Sequence, residues 1–485
     1  MNLGRKAVRG ALWSISTGMG SRALGLIGTL VVTRFVSPTE YGEVTVAAVL
    51  VMTANQFSTA GLGQYIVARP DASREAAFHA TVFHVVLGAA AIVLLFAFGD
   101  RLGAAVDAPR MERFLPGLAL AMLFDRIAFV PERVLARDLR FGPLSLTRAA
   151  GDVAHTLVSV GLAALGWGGA AIVWGNVARS GLRFVAFVAC VARRDWLEPC
   201  RLTLRQTREL LAFGAPVALG ALCAFAARRW DNLLVSRFFG PGVTGMYNLA
   251  YNLADVPAIQ IGEQIGDVLL PSFARLDAAR RVDALERSLT LLGLVVFPLA
   301  VGLAAVAPTL VATIFDERWR PVGPMLVLLS ALSVTRPIGW TIQSYLQARL
   351  RTAYLFWLEA LKLAILVLGI ATFGRTSPLW TCAAVGLAFG AHAVASLVVV
   401  RRLDGISIAR MLGGLARALA ACALMALSVL AVRAALSSER LAPAFALGVE
   451  IAVGVVAYLA GAFVFARSAS RELVRRVLDA AGVRG

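Results

Sequence analysis

The sequence predicts an all-α, polytopic membrane protein of about fourteen transmembrane helices: two six-helix halves plus two C-terminal helices. Three observations predict it. The 485-residue chain is 59% hydrophobic and 16% charged, with a mean hydropathy of +0.76, whereas soluble domains carry about 25% charged residues. Apolar stretches near 20 residues recur along it, the length a helix needs to cross a hydrocarbon core of about 30 Å. The loops between them are short and charged, and none is long enough to fold by itself.

The stretches fall at 11–33, 44–67, 77–98, 113–131, 146–166, 169–191, 209–236, 246–271, 288–314, 323–347, 353–373, 379–399, 410–432 and 442–465. Inside lipid every backbone polar group must bond within its own segment, so each reads as a helix. The first is too long for a cleavable signal peptide and is followed by others, so it reads as the first span. The fourth is the richest in proline and charge. Pro216, Pro257, Pro271, Pro298 and Pro308 interrupt the second half. A proline removes an i→i−4 bond and bends a helix, which suits a gate and also occurs in inert spans. Residues 272–287 read either as a short interfacial helix, with Phe273, Leu276, Val282 and Leu285 apolar among Arg and Asp, or as a plain connector. The Arg-rich tail, 467–485, is expected against anionic head groups.

The formal charge is +18, and 45 of the 47 basic residues are Arg. In a soluble protein that balance would invite nucleic acid. Here its placement matters more. One set of loops, with the tail, holds 28 basic residues and the opposite set holds 10. The positive-inside rule then puts both termini in the cytoplasm, which agrees with an even helix count. No HExxH, GxSxG, Walker motif or metal-ligand spacing is present. The four histidines are scattered, and Cys190, Cys200, Cys223, Cys382 and Cys422 form neither a metal-like cluster nor a disulfide framework by spacing. An enzyme, a cofactor, a metal site and a nucleic-acid partner are therefore not expected.

An internal repeat organises the chain. Thr33-Arg34-Phe35-Val36-Ser37-Pro38 matches Ser236-Arg237-Phe238-Phe239-Gly240-Pro241, 203 positions later, and Gly42 matches Gly245. Six helices per half keep the halves in the same orientation. The expected division is a half at 1–192, a cytoplasmic linker at 193–208, a half at 209–400, two extra helices at 401–466 lying outside the repeat as an appendage, and a basic tail at 467–485. Two like-oriented halves with a path between them suit a transporter body.

Charge inside apolar helices is expensive unless it pairs or lines a cavity. Nine basic residues fall there: Arg22, Arg126, Arg179, Arg183, Arg228, Arg229, Arg336, Lys362 and Arg417. Acids at depth include Asp125, Asp152, Asp231, Glu263, Asp267 and Glu359. Arg183, Arg417 and Asp152 read as side chains near helix ends that snorkel to water. Arg22, among Gly18, Gly20 and Gly25, either lines a cavity or pairs with an acid on another helix. Arg228 and Asp231 are i,i+3 and read as a neutralised pair or as a latch. Arg229 points about 100° away. Glu263 lacks a basic partner on its own helix. Glu359 and Lys362 read as a mutual pair. The candidate substrate-binding residues are Arg22, Arg228, Arg229, Asp231, Glu263 and Arg126. Their basic surplus suits an anionic, phosphate-bearing substrate, since Arg presents a rigid donor fork.

Several segments carry a family resemblance: Gly10-Ala11-Leu12-Trp13, Thr33 through Gly42, Asp231-Asn232-Leu233-Leu234-Val235-Ser236-Arg237, Gly245-Met246-Tyr247-Asn248-Leu249-Ala250-Tyr251 and Phe315-Asp316-Glu317-Arg318-Trp319. In this order the chain resembles the polysaccharide exporters and lipid-linked oligosaccharide flippases of the multidrug/oligosaccharidyl-lipid/polysaccharide superfamily, in the Wzx-type branch that includes the colanic acid exporter. The resemblance implies a bacterial inner-membrane flippase that moves an undecaprenyl-diphosphate-linked glycan to the periplasmic leaflet by alternating access. It also implies membrane lipids as surroundings, with a polysaccharide polymerase and other assembly proteins as candidate partners. Coupling to Na⁺ or H⁺ is compatible with the superfamily, and a monomer is compatible with the repeat. A peptidoglycan-precursor flippase and a multidrug exporter share the architecture. A glycan polymerase or ligase would need a large catalytic periplasmic loop.

Overall fold

In the computed structural model the described residues are 20–21, 24–59, 74–138, 140–436 and 442–480. Side chains are described for them except at 213, 216–217, 256–268, 271, 278–279, 352 and 476–480. Among these residues there is no strand. The helices are α1 (Leu24–Phe35), α2 (Pro38–Thr59), α3 (Arg74–Ala105), α4 (Leu115–Arg137), α5 (Phe141–Ala164), α6 (Gly169–Cys190) and α7 (Leu204–Arg275). They continue with α8 (Ala278–Ile314), α9 (Val322–Leu332), α10 (Arg336–Ala348), α11 (Thr352–Thr372), α12 (Pro378–Asp404), α13 (Ile408–Leu436), α14 (Pro443–Phe465) and α15 (Arg467–Ala480). The fold is all-helical and polytopic. Among the described residues eight helical segments are long and apolar enough to cross a membrane. Where residues are described, the helices fall on the expected stretches, with α9 and α10 together filling 323–347 and α7 filling two; most of 11–33 and the end of 44–67 lie outside the described residues.

Two expectations change and a third gains its geometry. Residues 272–287 are neither an interfacial helix nor a connector. α7 runs to Arg275, and α8 begins at Ala278 behind Asp277, whose carboxylate accepts the Arg280 N–H at 2.9 Å. Residues 278–287 are the polar first turns of a 37-residue helix, longer than the apolar core requires, and Phe273 belongs to the end of α7. The break expected between the stretches 209–236 and 246–271 falls at Gly240, whose φ of +76° and ψ of 174° part α7 into two helical arms, a conformation that only glycine adopts cheaply. Pro298 and Pro308 leave α8 helical throughout.

The chain forms two compact units, residues 1–245 and 246–485. This spatial division differs from the repeat-based one because the first arm of α7 packs with the earlier helices. Leu233 joins the cluster of Val44, Val46, Leu115 and Leu118, and Trp230 Nε1 donates to Thr53 Oγ1 at 3.1 Å. Within the first unit, α3 shows how such helices are built. Its buried residues Ala77, Ala80, His84 and Gly88 recur every three or four positions. The opposite side exposes Val86, Val93, Leu94 and Phe96. Lipid gives large apolar side chains no reason to turn inward, so close packing of small residues holds the helices together.

In the second unit, α8 is the spine. Leu285, Leu289 and Phe297 share a core with Met411, Leu415, Ala418, Cys422 and Met425 of α13 and with Ala462 of α14. α13 and α14, expected as an appendage, pack in this core. An ion pair fixes them: Glu450 of α14 accepts from Arg433 at 2.8 Å and from Thr309 of α8 at 2.7 Å. The tail forms α15, which turns Ala469 and Leu473 onto the same core.

Candidate functional site

The two repeated turns meet in the first unit. Ser37 Oγ accepts the Glu40 N–H at 3.2 Å and starts α2. A Cβ placed on Gly42 would fall on the carbonyl oxygen of Pro241, and one on Gly245 would fall on that of Pro38. The contact is reciprocal, each glycine against the proline carbonyl of the other matched segment. The glycines are therefore required by a backbone crossing.

Of the candidate residues, Arg22 lies outside the described residues, as do the side chains of Glu263 and Asp267. Arg228 is exposed, and its Nε donates to the Ala224 carbonyl at 3.3 Å. Asp231 is 1% exposed and accepts from the backbone N–H and Nδ2 of Asn232 at 2.9 and 3.0 Å. Among the described residues no ion pair joins Arg228 to Asp231, and both of these bonds from Asn232 go to one oxygen, Oδ1, of the carboxylate. Arg229 is half-buried on the same arm of α7. Arg126 is 1% exposed. It donates to a ring nitrogen of His84 at 3.2 Å, to the Asn55 carbonyl at 2.6 Å and to Ser58 Oγ. It clamps α4 to α2 and α3 and meets neutral acceptors only in these bonds. His84 stacks on Phe129 with ring centroids 4.0 Å apart. One of the scattered histidines is therefore a direct partner of a candidate residue.

Asp152 and Arg183 do not snorkel separately. They pair at 2.7 Å between α5 and α6. Arg179 donates to Asn176 Oδ1 at 2.6 Å, and Arg148 pairs with Glu132. Asn176, Arg179, Ser180 and Arg183 share one face of α6 at spacings of three and four, a polar stripe that helical periodicity could have revealed.

In the second unit Asp255 and Arg336, both buried, form an ion pair, and the guanidinium sits 4.6 Å from the Phe389 ring centroid. Asp255 was not singled out from sequence, because its partner is 81 positions away. Lys362 and Glu359 pair at 2.6 Å as their spacing indicated, and His392 stands 3.7 Å from the same carboxylate. A cavity of about 30 Å³ lined by Gln343, Glu359, His392 and Ser396 opens beside them, enough for a water.

One grouping defeats sequence spacing. Glu75, His79 and Cys200 bring ligand-type atoms within 4.8 Å of one another. Thr203 N–H donates to His79 Nε2 at 2.9 Å, so Nδ1 carries the proton and bonds the Glu75 carbonyl, also at 2.9 Å. Burial, then the carboxylates of Glu75 and Glu198, push the Cys200 thiol above its ordinary pKa. With both imidazole nitrogens engaged and the thiol kept protonated, the group fastens the 191–203 loop to α3 and suits a metal poorly.

The helices as arranged overlay on a lipid II flippase, MurJ, in an inward closed conformation with a TM-score of 0.76. The overlay covers 94% of this chain and 99% of that one at 15% identity. On an inward-facing multidrug resistance transporter of the MATE family the TM-score is 0.61, over 79% and 94%, at 13% identity. At such identities the likeness shows the fold alone: an all-helical membrane protein with the architecture these transporters share. Residues 31–324 match the family described as polysaccharide biosynthesis protein, and the chain belongs to that family, which is one of transporters and not of enzymes. The chain is 26% identical over 378 residues to the lipopolysaccharide biosynthesis protein WzxC of Escherichia coli K12, covering 77% of this chain and 76% of that one. It is 24% identical to the succinoglycan biosynthesis transport protein ExoT of Rhizobium meliloti 1021, covering 99% and 96%.

Proposed function

We propose that the protein moves an undecaprenyl-diphosphate-linked oligosaccharide from the cytoplasmic to the periplasmic leaflet of a bacterial inner membrane by alternating access, for exopolysaccharide, capsule or O-antigen synthesis. Both termini then face the cytoplasm, and the two repeat halves are the moving bodies. The family match over residues 31–324 is the observation that carries this reading. The basic surplus at membrane depth agrees with it, because a diphosphate needs arginine donors where water is scarce. Arg22, Arg228 and Arg229 are the proposed diphosphate ligands, with Asp231 and Glu263 setting the local charge. Arg126 holds α2, α3 and α4 together and reaches substrate only by leaving His84, Asn55 and Ser58.

The test is leaflet transfer of a purified lipid-diphosphate-glycan in proteoliposomes, with and without Na⁺ and pH gradients. Transfer above that of empty vesicles is expected, and its absence would sink the proposal. A peptidoglycan lipid precursor and a cationic drug, run in parallel, separate this reading from the two that share the architecture. Arg228→Ala and Arg229→Ala should each lower transfer of the glycan. Normal transfer in both would remove them from the substrate path.

A further inference from the structure

We propose that a groove between α8, α13 and α15 holds the head group of a membrane lipid in which a phosphate is joined to a primary ammonium. The proposal is independent of the transported substrate. The groove encloses about 390 Å³ and is lined by Glu286, Arg287 and Thr290 of α8, Arg410 and Arg417 of α13, and Glu472 of α15. Asp283 stands at its rim. Three arginines thus face three acids, yet only Arg287 and Glu472 are matched closely, at 2.6 Å.

The remaining charges leave room for a ligand. Glu286 lies 4.0 Å from Arg410, and its Oε1 is buried without a hydrogen bond. Arg417 lies nine residues, about 13 Å, along α13. Its Nε donates to the Gly413 carbonyl at 3.2 Å, and no carboxylate among the described residues pairs with it. A guanidinium at that depth needs an anion or a reach to the surface, and its donor fork matches phosphate. A carboxylate oxygen can only accept, and a primary ammonium offers three donors where a quaternary one offers none. A simple anion would meet Arg417 and be repelled by Glu286 and Asp283. A simple cation would meet the reverse. A phosphate next to a primary ammonium matches both. Leu291 and Ala469 add apolar lining, and Leu412 and Leu419 are exposed on the same α13, so the occupant is a lipid and not a soluble metabolite.

The test uses the full chain in nanodiscs of equal parts phosphatidylethanolamine, phosphatidylcholine and phosphatidylglycerol. Retained lipid is counted by native mass spectrometry after transfer to detergent. Phosphatidylethanolamine should be retained about tenfold over the other two, the scale of one charge-assisted hydrogen bond. Glu286→Gln should bring it down to the phosphatidylcholine level, and Arg417→Gln should lower both. If Glu286→Gln does not fold, Asp283→Asn at the exposed rim carries the same expectation at smaller size. Equal retention of the ethanolamine and choline lipids overturns the proposal. So does preference for phosphatidylglycerol, which would mark a plain basic patch. Soluble phosphoethanolamine that competes as well as the lipid overturns the assignment to a membrane occupant.

Discussion

Glu450 is a carboxylate placed where lipid would reject it, and its surroundings explain how it is kept. It is 1% exposed, bonded by Thr309 Oγ1 and by two nitrogens of Arg433, whose Nη2 also reaches the Ala305 carbonyl. Removing one partner of such a pair leaves the other uncompensated, at a cost of about 3–5 kcal/mol for a fully buried pair. Arg433 is 27% exposed, and screening reduces the figure. Glu450→Ala should therefore lower the melting temperature in detergent clearly, and Glu450→Leu with Arg433→Leu should recover much of the loss. An unchanged melt in the single variant would remove the pair from the account of how α13 and α14 are held. Arg228 and Asp231 give the opposite expectation. Since no ion pair joins Arg228 to Asp231 among the described residues, exchanging the two charges should not rescue either single reversal in the transfer assay; rescue would restore the latch. At Cys200 the raised pKa predicts slow alkylation at pH 8 relative to a free thiol, quickening as pH rises, because only the thiolate reacts. Glu75→Gln should speed it at fixed pH, read by mass spectrometry of the Cys200 peptide.

At the scale of elements, the glycine crossing ties the repeat to packing. The matched turns were legible as a repeat, and Gly42 and Gly245 were legible as equivalent. That they abut was not, since sequence similarity says nothing about who touches whom. Gly42→Ala and Gly245→Ala each drive a methyl into a backbone carbonyl, which cannot swing aside as a side chain would. Each should destabilise by about 1–3 kcal/mol, seen as a lower melting temperature, and melts equal to the parent would contradict the crossing. Helix existence was legible throughout because hydrophobic length is a local property. The union of 278–287 with α8 was not, because amphipathic turns look alike whether they lie on a membrane or extend a span.

For the whole molecule, the order of packing was the hidden part. Because Met411, Leu415 and Cys422 complete the core around α8, truncation after Asp404 should leave the second unit unfolded, with protease resistance lost beyond Met246. A stable truncated protein would show that α13 and α14 are dispensable after all. The sequence by itself determined the class: a chain this apolar, cut by short basic loops, can satisfy its backbone in lipid only as helices, and the family follows from residues spread along most of it. It also marked which charges needed explanation, since the energy of burying a charge depends on its own segment. Tertiary structure alone decided how each was answered. Arg126 found His84, Arg183 found Asp152 and Arg336 found Asp255, while no ion pair joins Arg228 to its own helix neighbour among the described residues; Arg433 and Glu450, which the sequence had not marked, found each other. Partners on separate helices leave no periodic trace, because a Coulomb or hydrogen-bond contact depends on distance in space and not on distance along the chain.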